Sequence, residues 1–219
     1  MTCFSETWII LFGGAGRERI LKHLVQEGIK INFVLAPLKQ SLKLKASLSE
    51  IKKLGLPIIF TNKADVGDHL KNMCNCNILS VGFPYIIPKD VYEKHPLSLN
   101  IHPTLLPKYR GPTTGPFILI NNENESGSTV HLLAEEVDAG DIIDQSHISI
   151  SPFDTVCSMQ RKVYCVEPDL VINAFKKIDQ GIKPTPQKDH EASIYHAPRK
   201  PIDSEIDPQK NLLELINWM

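Results

Sequence analysis

The chain has 219 residues, with 24 Lys and Arg against 25 Asp and Glu and a formal charge of -1. The length suits one full domain with a small appendage, and the balanced charge argues against a surface built mainly to hold nucleic acid. Five cysteines form neither C-x-x-C pairs nor an even-numbered secreted framework, and we find no signal peptide and no bilayer-spanning apolar run. We therefore expect a cytoplasmic protein with no membrane partner.

The first apolar run, Trp8–Phe12, ends at a Gly-Gly-Ala-Gly turn, and an amphipathic segment follows. This order predicts a strand, a tight turn and a helix. Gly13 and Gly14 would let the backbone approach a ligand, and the helix N-terminus would offer N–H groups to a phosphate, helped by Arg17 or Arg19. A plain strand-to-helix turn explains the same residues equally well, because the pattern is not a full G-x-G-x-x-G.

Apolar runs and helical patterns alternate over the next part of the chain. They predict strands at 31–36, 56–60 and 78–82, and helices at 47–54 and 64–73. This spacing indicates an α/β fold, in which a mostly parallel twisted sheet is covered by helices on both faces.

An apolar loop comes directly after the run at 78–82. Its residues Phe83, Pro84, Tyr85 and Ile86 should lie at the carboxyl edge of the sheet, where open α/β folds place their ligands. Such a loop can hold a flat ring system. A loop that simply caps the hydrophobic core remains the alternative.

The next strand is predicted at Ser98–Ile101 and should stop at His102, because Pro103 favours extended backbone before it. Asn100 and His102 are two positions apart and should project from the same face. An amide donor beside an imidazole suits attack on a carbonyl, since the first can stabilise an oxyanion and the second can move a proton. Asn and His also occupy strand ends merely to satisfy loop backbone groups.

Beyond this stretch, the pattern predicts a short helix within 111–122, a polar turn at 122–127, and a hairpin of strands at 128–133 and 142–150. In the hairpin loop, Asp138 precedes a small-residue turn that would deliver its carboxylate to a cleft. Asp at a glycine turn is also ordinary loop chemistry.

Apolar residues at helical spacing predict one long helix between 152 and 180, with a kink near Pro168 and a structural role against the sheet. The composition then changes. We expect residues 1–180 to form the main domain and residues 181–219 a C-terminal extension, closed by a short apolar helix or strand at 212–218.

Three motifs in this order resemble the folate-dependent formyltransferase family: S-V-G-F-P-Y-I-I-P at 80–88, N-I-H-P-T-L-L-P-K-Y-R-G at 100–111 and V-D-A-G-D-I-I at 137–143. The resemblance extends from the first strand to Ile150. It implies a Rossmann-like formyltransferase core with a short appendage. It also implies an N-formyltransferase that uses 10-formyltetrahydrofolate as the donor.

The resemblance assigns roles to particular residues. Asn100, His102 and Asp138 match the catalytic residues of the family, and the pterin would lie against residues 83–86 and the backbone near Asp138. Asn100 and His102 would stabilise the tetrahedral oxyanion, and His102, oriented by Asp138, would relay the proton lost by the amine. Which group finally accepts that proton stays open.

The tail R-K-P-I-D-S-E-I-D at 199–207 resembles that of sugar-nucleotide N-formyltransferases, which implies an amino dideoxy sugar acceptor, expected to be dTDP-linked. The resemblance also allows a homodimer, and we expect no nucleic acid partner. The acceptor's diphosphate is expected between two groups of residues at the same sheet edge, Gly13, Gly14 and Arg17 on one side and Lys108, Tyr109 and Arg110 on the other.

Other readings remain. Glycinamide ribonucleotide transformylases usually carry Gly-Ser-Asn where this chain has Gly-Arg-Glu, and methionyl-tRNA formyltransferases carry a further C-terminal domain. A formyltetrahydrofolate hydrolase would use water as the acceptor, and a non-catalytic nucleotide-binding module is favoured by the glycine turn alone. A metal site built from His102, Asp138 and Asp141 lacks a dense ligand spacing, so we expect no metal.

Overall fold

The computed structural model describes residues 2–188 and residue 209, so the tail motif at 199–207 and the element predicted at 212–218 lie outside the described residues. Within residues 2–188 the elements, in chain order, are β1 (Thr7–Phe12), α1 (Glu18–Gln26), β2 (Lys30–Pro37), α2 (Leu42–Lys52), β3 (Ile58–Thr61), α3 (Val66–Lys71), β4 (Asn77–Val81), α4 (Lys89–Tyr92), β5 (Ser98–His102), α5 (Gly115–Ile120), β6 (Glu125–Leu132), β7 (Ile142–Ser149) and α6 (Val156–Asp179).

The strands of this part of the chain form one sheet in the order β3-β2-β1-β4-β5-β6-β7. The first five strands in chain order pair in parallel, whereas β6 runs antiparallel to both β5 and β7. This confirms the predicted α/β class and the predicted hairpin. The carboxyl ends of β1, β4 and β5 consequently meet at one edge of the sheet.

The interior strand β1 is buried on both faces, as its continuous apolar run predicts. Because side chains alternate along a strand, Trp8 and Phe12 share one face and Ile9 and Leu11 the other. Trp8 stacks on Phe175 of α6, with 4.2 Å between the ring centroids. Ile9 and Leu11 instead pack against α3 and α4. Helices therefore cover both faces of the sheet.

The polar turn predicted at 122–127 is wrong in its second half, because β6 already begins at Glu125. The composition there is typical of a turn, but pairing with β7 supplies partners for the backbone and overrides the local preference. Gly127 permits the close approach, since a Cβ at this position would lie 2.0 Å from the carbonyl oxygen of Ser146.

The long helix α6 is confirmed. It begins with a capping box in which the Thr155 hydroxyl accepts from the Ser158 N–H at 3.2 Å, and it contains Pro168. The chain that follows the helix returns to the sheet, where Thr185 exchanges two backbone hydrogen bonds of 2.8 Å with Ile142. None of the helices in the described part of the chain is both long and apolar enough to cross a bilayer.

Candidate active site

Four polar side chains converge at the carboxyl end of β5. Asn100 and His102 project from the same face of this strand, as predicted, and His131 stands opposite Asn100 in the antiparallel pairing with β6. The fourth, Asp138, comes from the loop between β6 and β7. Residues that lie up to 38 positions apart in the sequence thus form one cluster.

Asp138 is at the centre of this cluster. Its Oδ1 accepts from Asn100 Nδ2 at 3.2 Å and lies 3.4 Å from His131 Nε2. Its Oδ2 accepts from the Gly111 N–H at 2.9 Å and lies 3.3 Å from His102 Nδ1. Both carboxylate oxygens are therefore held, and Asn100, His102 and His131 all contact this one group.

The backbone around Asp138 is shaped to deliver the carboxylate. Asp138 has a φ of 57°, a left-handed conformation that Asp tolerates better than most residues. A Cβ on Gly140 would lie 1.9 Å from the carbonyl oxygen of Leu132, so only glycine lets the loop fold back this closely. Gln187 Nε2 donates to the carbonyl oxygens of Asp138 (2.9 Å) and Gly140 (2.7 Å). The sequence showed no signal for Gln187, because its partners are backbone groups distant along the chain.

Asp138 remains ionised at neutral pH. Burial raises its pKa, but His102, His131 and the Gly111 N–H together outweigh burial and leave the pKa below the ordinary value. A buried carboxylate with a lowered pKa keeps its negative charge beside the imidazoles.

His102 has a partner at each ring nitrogen. Nε2 lies 2.8 Å from the carbonyl oxygen of Tyr109, which can only accept, so Nε2 carries a proton. Burial lowers the pKa of His102, and the opposing effect of Asp138 is smaller, which favours the neutral ring. Nδ1 is then unprotonated and faces the carboxylate. A proton taken up there would gain a charge-assisted bond to Asp138.

His131 is a member of the cluster that the sequence analysis missed. It lies in the alternating strand S-T-V-H-L-L, where we assigned no function, and is only 1% exposed. Its Nδ1 lies 2.8 Å from the carbonyl oxygen of Leu132 and so carries a proton, which leaves Nε2 to accept from Asn100 Nδ2 at 3.1 Å. One feature of the sequence could have identified His131 as a site residue. It is a histidine on the inward face of a buried strand, opposite a predicted catalytic asparagine.

Arg17, predicted to bind a phosphate, has a different partner in the structure. It is 3% exposed, and its Nε and Nη2 each donate at 2.7 Å to the carboxylate of Glu167 in α6. Nη2 also donates to the carbonyl oxygen of Ile101 at 3.1 Å. Its positive charge is thus neutralised inside the fold. Burial raises the pKa of Glu167, while Arg17 and Ser128 oppose this.

This ion pair contacts and stabilises β5, the strand that carries His102. Ser128 Oγ lies 3.0 Å from Glu167 Oε1 and 2.8 Å from the carbonyl oxygen of His102. Helix α6 therefore contributes polar contacts beneath the cluster as well as apolar packing. The prediction that α6 only packs against the sheet is therefore incomplete.

The glycine turn after β1 also differs from the expectation of a phosphate seat with available N–H groups. The N–H groups of Gly13 and Gly14 both donate to the carbonyl oxygen of Val81, at 3.1 and 2.9 Å. A Cβ on Gly13 would lie 2.5 Å from the carbonyl oxygen of Gly82. Because β1 and β4 are neighbours, the two loops that follow them pack together. Gly13 and Gly14 allow that close contact because they have no side chain.

A cavity of about 870 Å³ opens over the cluster at this edge of the sheet. Its walls include Gly13, Gly14 and Arg17, the N-terminal end of α5 and one side of α6. The apolar loop contributes all four of its predicted residues, namely Phe83, Pro84, Tyr85 and Ile86. The rings of Phe83 and Tyr85 meet edge to face at 5.4 Å, and Ile86 is 70% exposed.

The remaining predicted acceptor residues do not face this cavity. Lys108 and Tyr109 line a separate cavity with residues of α5 and β7, because the chain turns at Tyr109, whose φ is 58°. Arg110 is buried, and its Nε donates to Gln187 Oε1 at 3.0 Å. Lys108 and Tyr109 thus line a different cavity from the glycine turn, and a diphosphate held between the two groups stays a prediction. Among the described residues, no group of three or more His, Cys, Asp or Glu is arranged to hold a metal ion.

Comparison with known proteins agrees with this geometry. The sequence model of the formyl transferase family matches residues 58–175. The methionyl-tRNA formyltransferase of Thermodesulfovibrio yellowstonii is 32% identical over 212 residues, covering 90% of this chain and 67% of that protein. The enzyme of the same name from Fusobacterium nucleatum is 29% identical over 88% of this chain and 60% of its own length.

A similar solved structure is the N-formyltransferase of Helicobacter canadensis in complex with folinic acid and dTDP-3-aminofucose. The two structures superpose with a TM-score of 0.77 at 21% sequence identity, and the match covers 100% of this chain and 79% of the Helicobacter canadensis chain. The α/β fold and the polar cluster define an enzyme-like site at the sheet edge. The chain belongs to the formyl transferase family, as its motifs predicted. It spans about 60 to 67% of the length of the two curated relatives.

Proposed function

We propose that this chain transfers the formyl group of 10-formyltetrahydrofolate to the amino group of a nucleotide-linked amino dideoxy sugar. The observation that carries the proposal is the convergence of an amide, a neutral imidazole and a buried carboxylate, from Asn100, His102 and Asp138, at the floor of the large cavity. This set suits attack of an amine on a carbonyl.

The folate donor would bind on the side of the cavity formed by Phe83–Ile86. The apolar loop offers a flat surface to a pterin ring, and the adjoining backbone near Asp138 offers hydrogen bonds. A folate analogue should therefore protect the amides of 83–86 from hydrogen exchange. Protection confined to the turn at Gly13 would contradict this placement.

In the proposed reaction, the acceptor amine attacks the formyl carbon of the donor and forms a tetrahedral oxyanion. Asn100 Nδ2 exchanges one of its two hydrogen bonds within the cluster for a bond to that oxygen, and His102 Nδ1 takes the proton that the amine loses. Asp138 stabilises the imidazolium that results. When the carbon–nitrogen bond to the folate breaks, His102 returns the proton to the leaving nitrogen, so tetrahydrofolate departs neutral at that atom and the histidine is regenerated.

The acceptor would approach from the opposite side of the cavity, between the start of α5 and the face of α6 that carries Gln160 and Tyr164. Two observations support a sugar nucleotide. The Helicobacter canadensis structure, which contains dTDP-3-aminofucose, matches the full length of this chain. The formal charge of -1 also provides little of the positive surface that a transfer RNA requires.

Methionyl-tRNA is the second candidate acceptor. It is favoured by the 32% identity to the Thermodesulfovibrio yellowstonii protein. The two acceptors differ in their expected salt dependence. Binding of a transfer RNA should weaken steeply with salt through counterion release, and binding of a small diphosphate only modestly.

The test incubates the protein with 10-formyltetrahydrofolate and either a panel of dTDP-linked amino sugars or charged initiator tRNA, and follows product mass. We expect a gain of one formyl group on a sugar nucleotide, with competition by thymidine diphosphate. Efficient formylation of the tRNA, without inhibition by the nucleotide, would overturn the sugar assignment and leave formyl transfer standing. Release of formate with every acceptor absent would indicate a hydrolase.

A further inference from the structure

One polar side chain at the floor of the large cavity has no role in the reaction as proposed above. Ser80 belongs to β4, is only 6% exposed and lines this cavity. Its neighbours along the strand, Leu79 and Val81, are apolar and belong to the core on the opposite face of the sheet. The strand therefore brings a single hydroxyl to the cavity.

Ser80 lies next to Asn100 in the sheet. The two residues are partners in the parallel pairing of β4 and β5, and Asn100 is in turn opposite His131 across the β5–β6 pair. Paired residues project from the same face, and neighbouring strands are about 4.8 Å apart. Ser80, Asn100 and His131 consequently form a polar row across three strands, and Asp138 contacts the last two of them.

The hydroxyl of Ser80 is available to a ligand. On the side away from Asn100, Ser80 is paired with Leu11 of β1, a fully buried apolar residue that offers no side-chain hydrogen bond. Among the residues that the structure describes, the Ser80 hydroxyl has no hydrogen-bond partner, and it is not one of the unpaired polar atoms that are closed to solvent. It can therefore donate into the cavity without first breaking a bond within the protein.

The amide of Asn100 is in a different position. Both of its hydrogens have partners within the cluster, at 3.2 Å from Asp138 Oδ1 and 3.1 Å from His131 Nε2. Donation from Asn100 to an oxyanion therefore costs one of these bonds, whereas donation from Ser80 displaces only water. Two donors that converge on one oxygen are the usual arrangement for stabilising a tetrahedral oxyanion.

We propose that Ser80 is a second catalytic donor, whose hydroxyl acts with Asn100 on the formyl oxygen. This inference rests on the formyl transfer proposed above. The Ser80 hydroxyl donates weakly to the formyl oxygen of the bound donor and more strongly once that oxygen becomes negatively charged. The proton stays on Ser80 throughout, while the carbon–nitrogen bond to the amine forms and the one to the folate breaks, so the serine ends the reaction unchanged.

Kinetics of Ser80→Ala provide the first test. This substitution removes the hydroxyl and nothing else, so kcat should fall by roughly tenfold to a hundredfold, with KM for the folate and for the acceptor little changed. Ser80→Thr keeps a hydroxyl and should recover part of the loss. An unchanged kcat in Ser80→Ala, or a raised KM for the folate at unchanged kcat, would overturn the inference.

Ser126→Ala is the matched control. Ser126 is also a buried strand serine, 3% exposed, whose hydroxyl has no partner among the described residues, but it is not part of the lining of the large cavity. Its variant should keep the turnover of the wild type. Loss of turnover to the same extent in both alanine variants would show that any buried strand serine has this effect, and would overturn the specific role of Ser80.

A second measurement does not require an acceptor. Infrared difference spectra of 10-formyltetrahydrofolate, labelled with carbon-13 in the formyl group, report the stretching frequency of the formyl carbonyl in the complex. A hydrogen bond weakens this carbonyl bond, so the frequency should be lower with the wild type and with Ser126→Ala than with Ser80→Ala. Equal frequencies with the wild type and Ser80→Ala would overturn the role of Ser80.

Failure of the proposed function has a different signature. If the wild-type protein shows no saturable binding of 10-formyltetrahydrofolate in titration calorimetry, formyl transfer itself is overturned and the role of Ser80 with it. If the donor binds and is turned over, but Ser80→Ala behaves as the wild type in both measurements, only the role of Ser80 is overturned.

Discussion

Asn100 and His131 face each other across the β5–β6 pair, with Nδ2 of the asparagine 3.1 Å from Nε2 of the histidine. The same Nδ2 donates to Asp138, so both hydrogens of the amide have partners within the cluster. This arrangement fixes the orientation of the amide before any substrate arrives. Donation to an oxyanion then requires one of these two bonds to be exchanged for a bond to the substrate oxygen, while the other keeps the amide in place.

The first prediction concerns the two residues proposed to act on the formyl group. Asn100→Ala and His102→Ala should each lower turnover by roughly two to three orders of magnitude, because one removes an oxyanion donor and the other a proton carrier. Folate binding should largely survive, as measured by titration calorimetry. Asn75→Ala, at an exposed asparagine before β4, is the control. Near-normal turnover in a folded variant would remove that residue from the mechanism.

The second prediction tests His131 as a positioning residue. His131→Ala should lower turnover on the order of tenfold to a hundredfold, because the Asn100 amide loses an acceptor and with it a fixed orientation. His131→Gln, whose side chain again offers an acceptor, should recover part of the loss, with KM for the folate little changed. His69→Ala serves as the control on α3. Equal damage by the Gln and Ala variants would argue that His131 only fills space.

The third prediction is a pH dependence. His102 must be neutral to take a proton, and burial lowers its pKa, so the acid limb of kcat/KM should have its midpoint below the ordinary histidine value of about 6.5. Asp138 acts in the opposite direction and raises the pKa of His102. Asp138→Asn should therefore move the midpoint to a still lower pH while reducing turnover. A midpoint that rises in this variant would contradict the assignment of His102 as the proton acceptor.

The fourth prediction concerns the buried pair of Arg17 and Glu167. Replacement of one partner, as in Glu167→Met, should destabilise the fold by about 3–5 kcal/mol, because an unpaired charge stays buried. The double variant Arg17→Met with Glu167→Met should be much less destabilised. Urea unfolding of the wild type, both single variants and the double variant measures the coupling. Additive effects of the two substitutions would show that the pair is not energetically linked.

The sheet and part of the site could be predicted from the sequence because local patterns encode them. Apolar runs marked β1, β4 and β5, and the period of two placed Asn100 and His102 on one face. The partners of Arg17 and the N–H groups of the glycine turn could not be predicted. They depend on which strands are neighbours and on a glutamate 150 residues away, and local spacing does not report such contacts.

The position of Gln187 has a consequence for how the protein is made. Its amide closes the Asp138 loop from 49 residues further along the chain, and its oxygen accepts from Arg110, 77 residues before it. During synthesis from the N-terminus, the strands that carry the catalytic residues emerge well before this residue does. The nascent chain therefore passes through a stage in which its sheet can assemble while the Asp138 loop still lacks the bonds that hold it, so the active site matures after the fold.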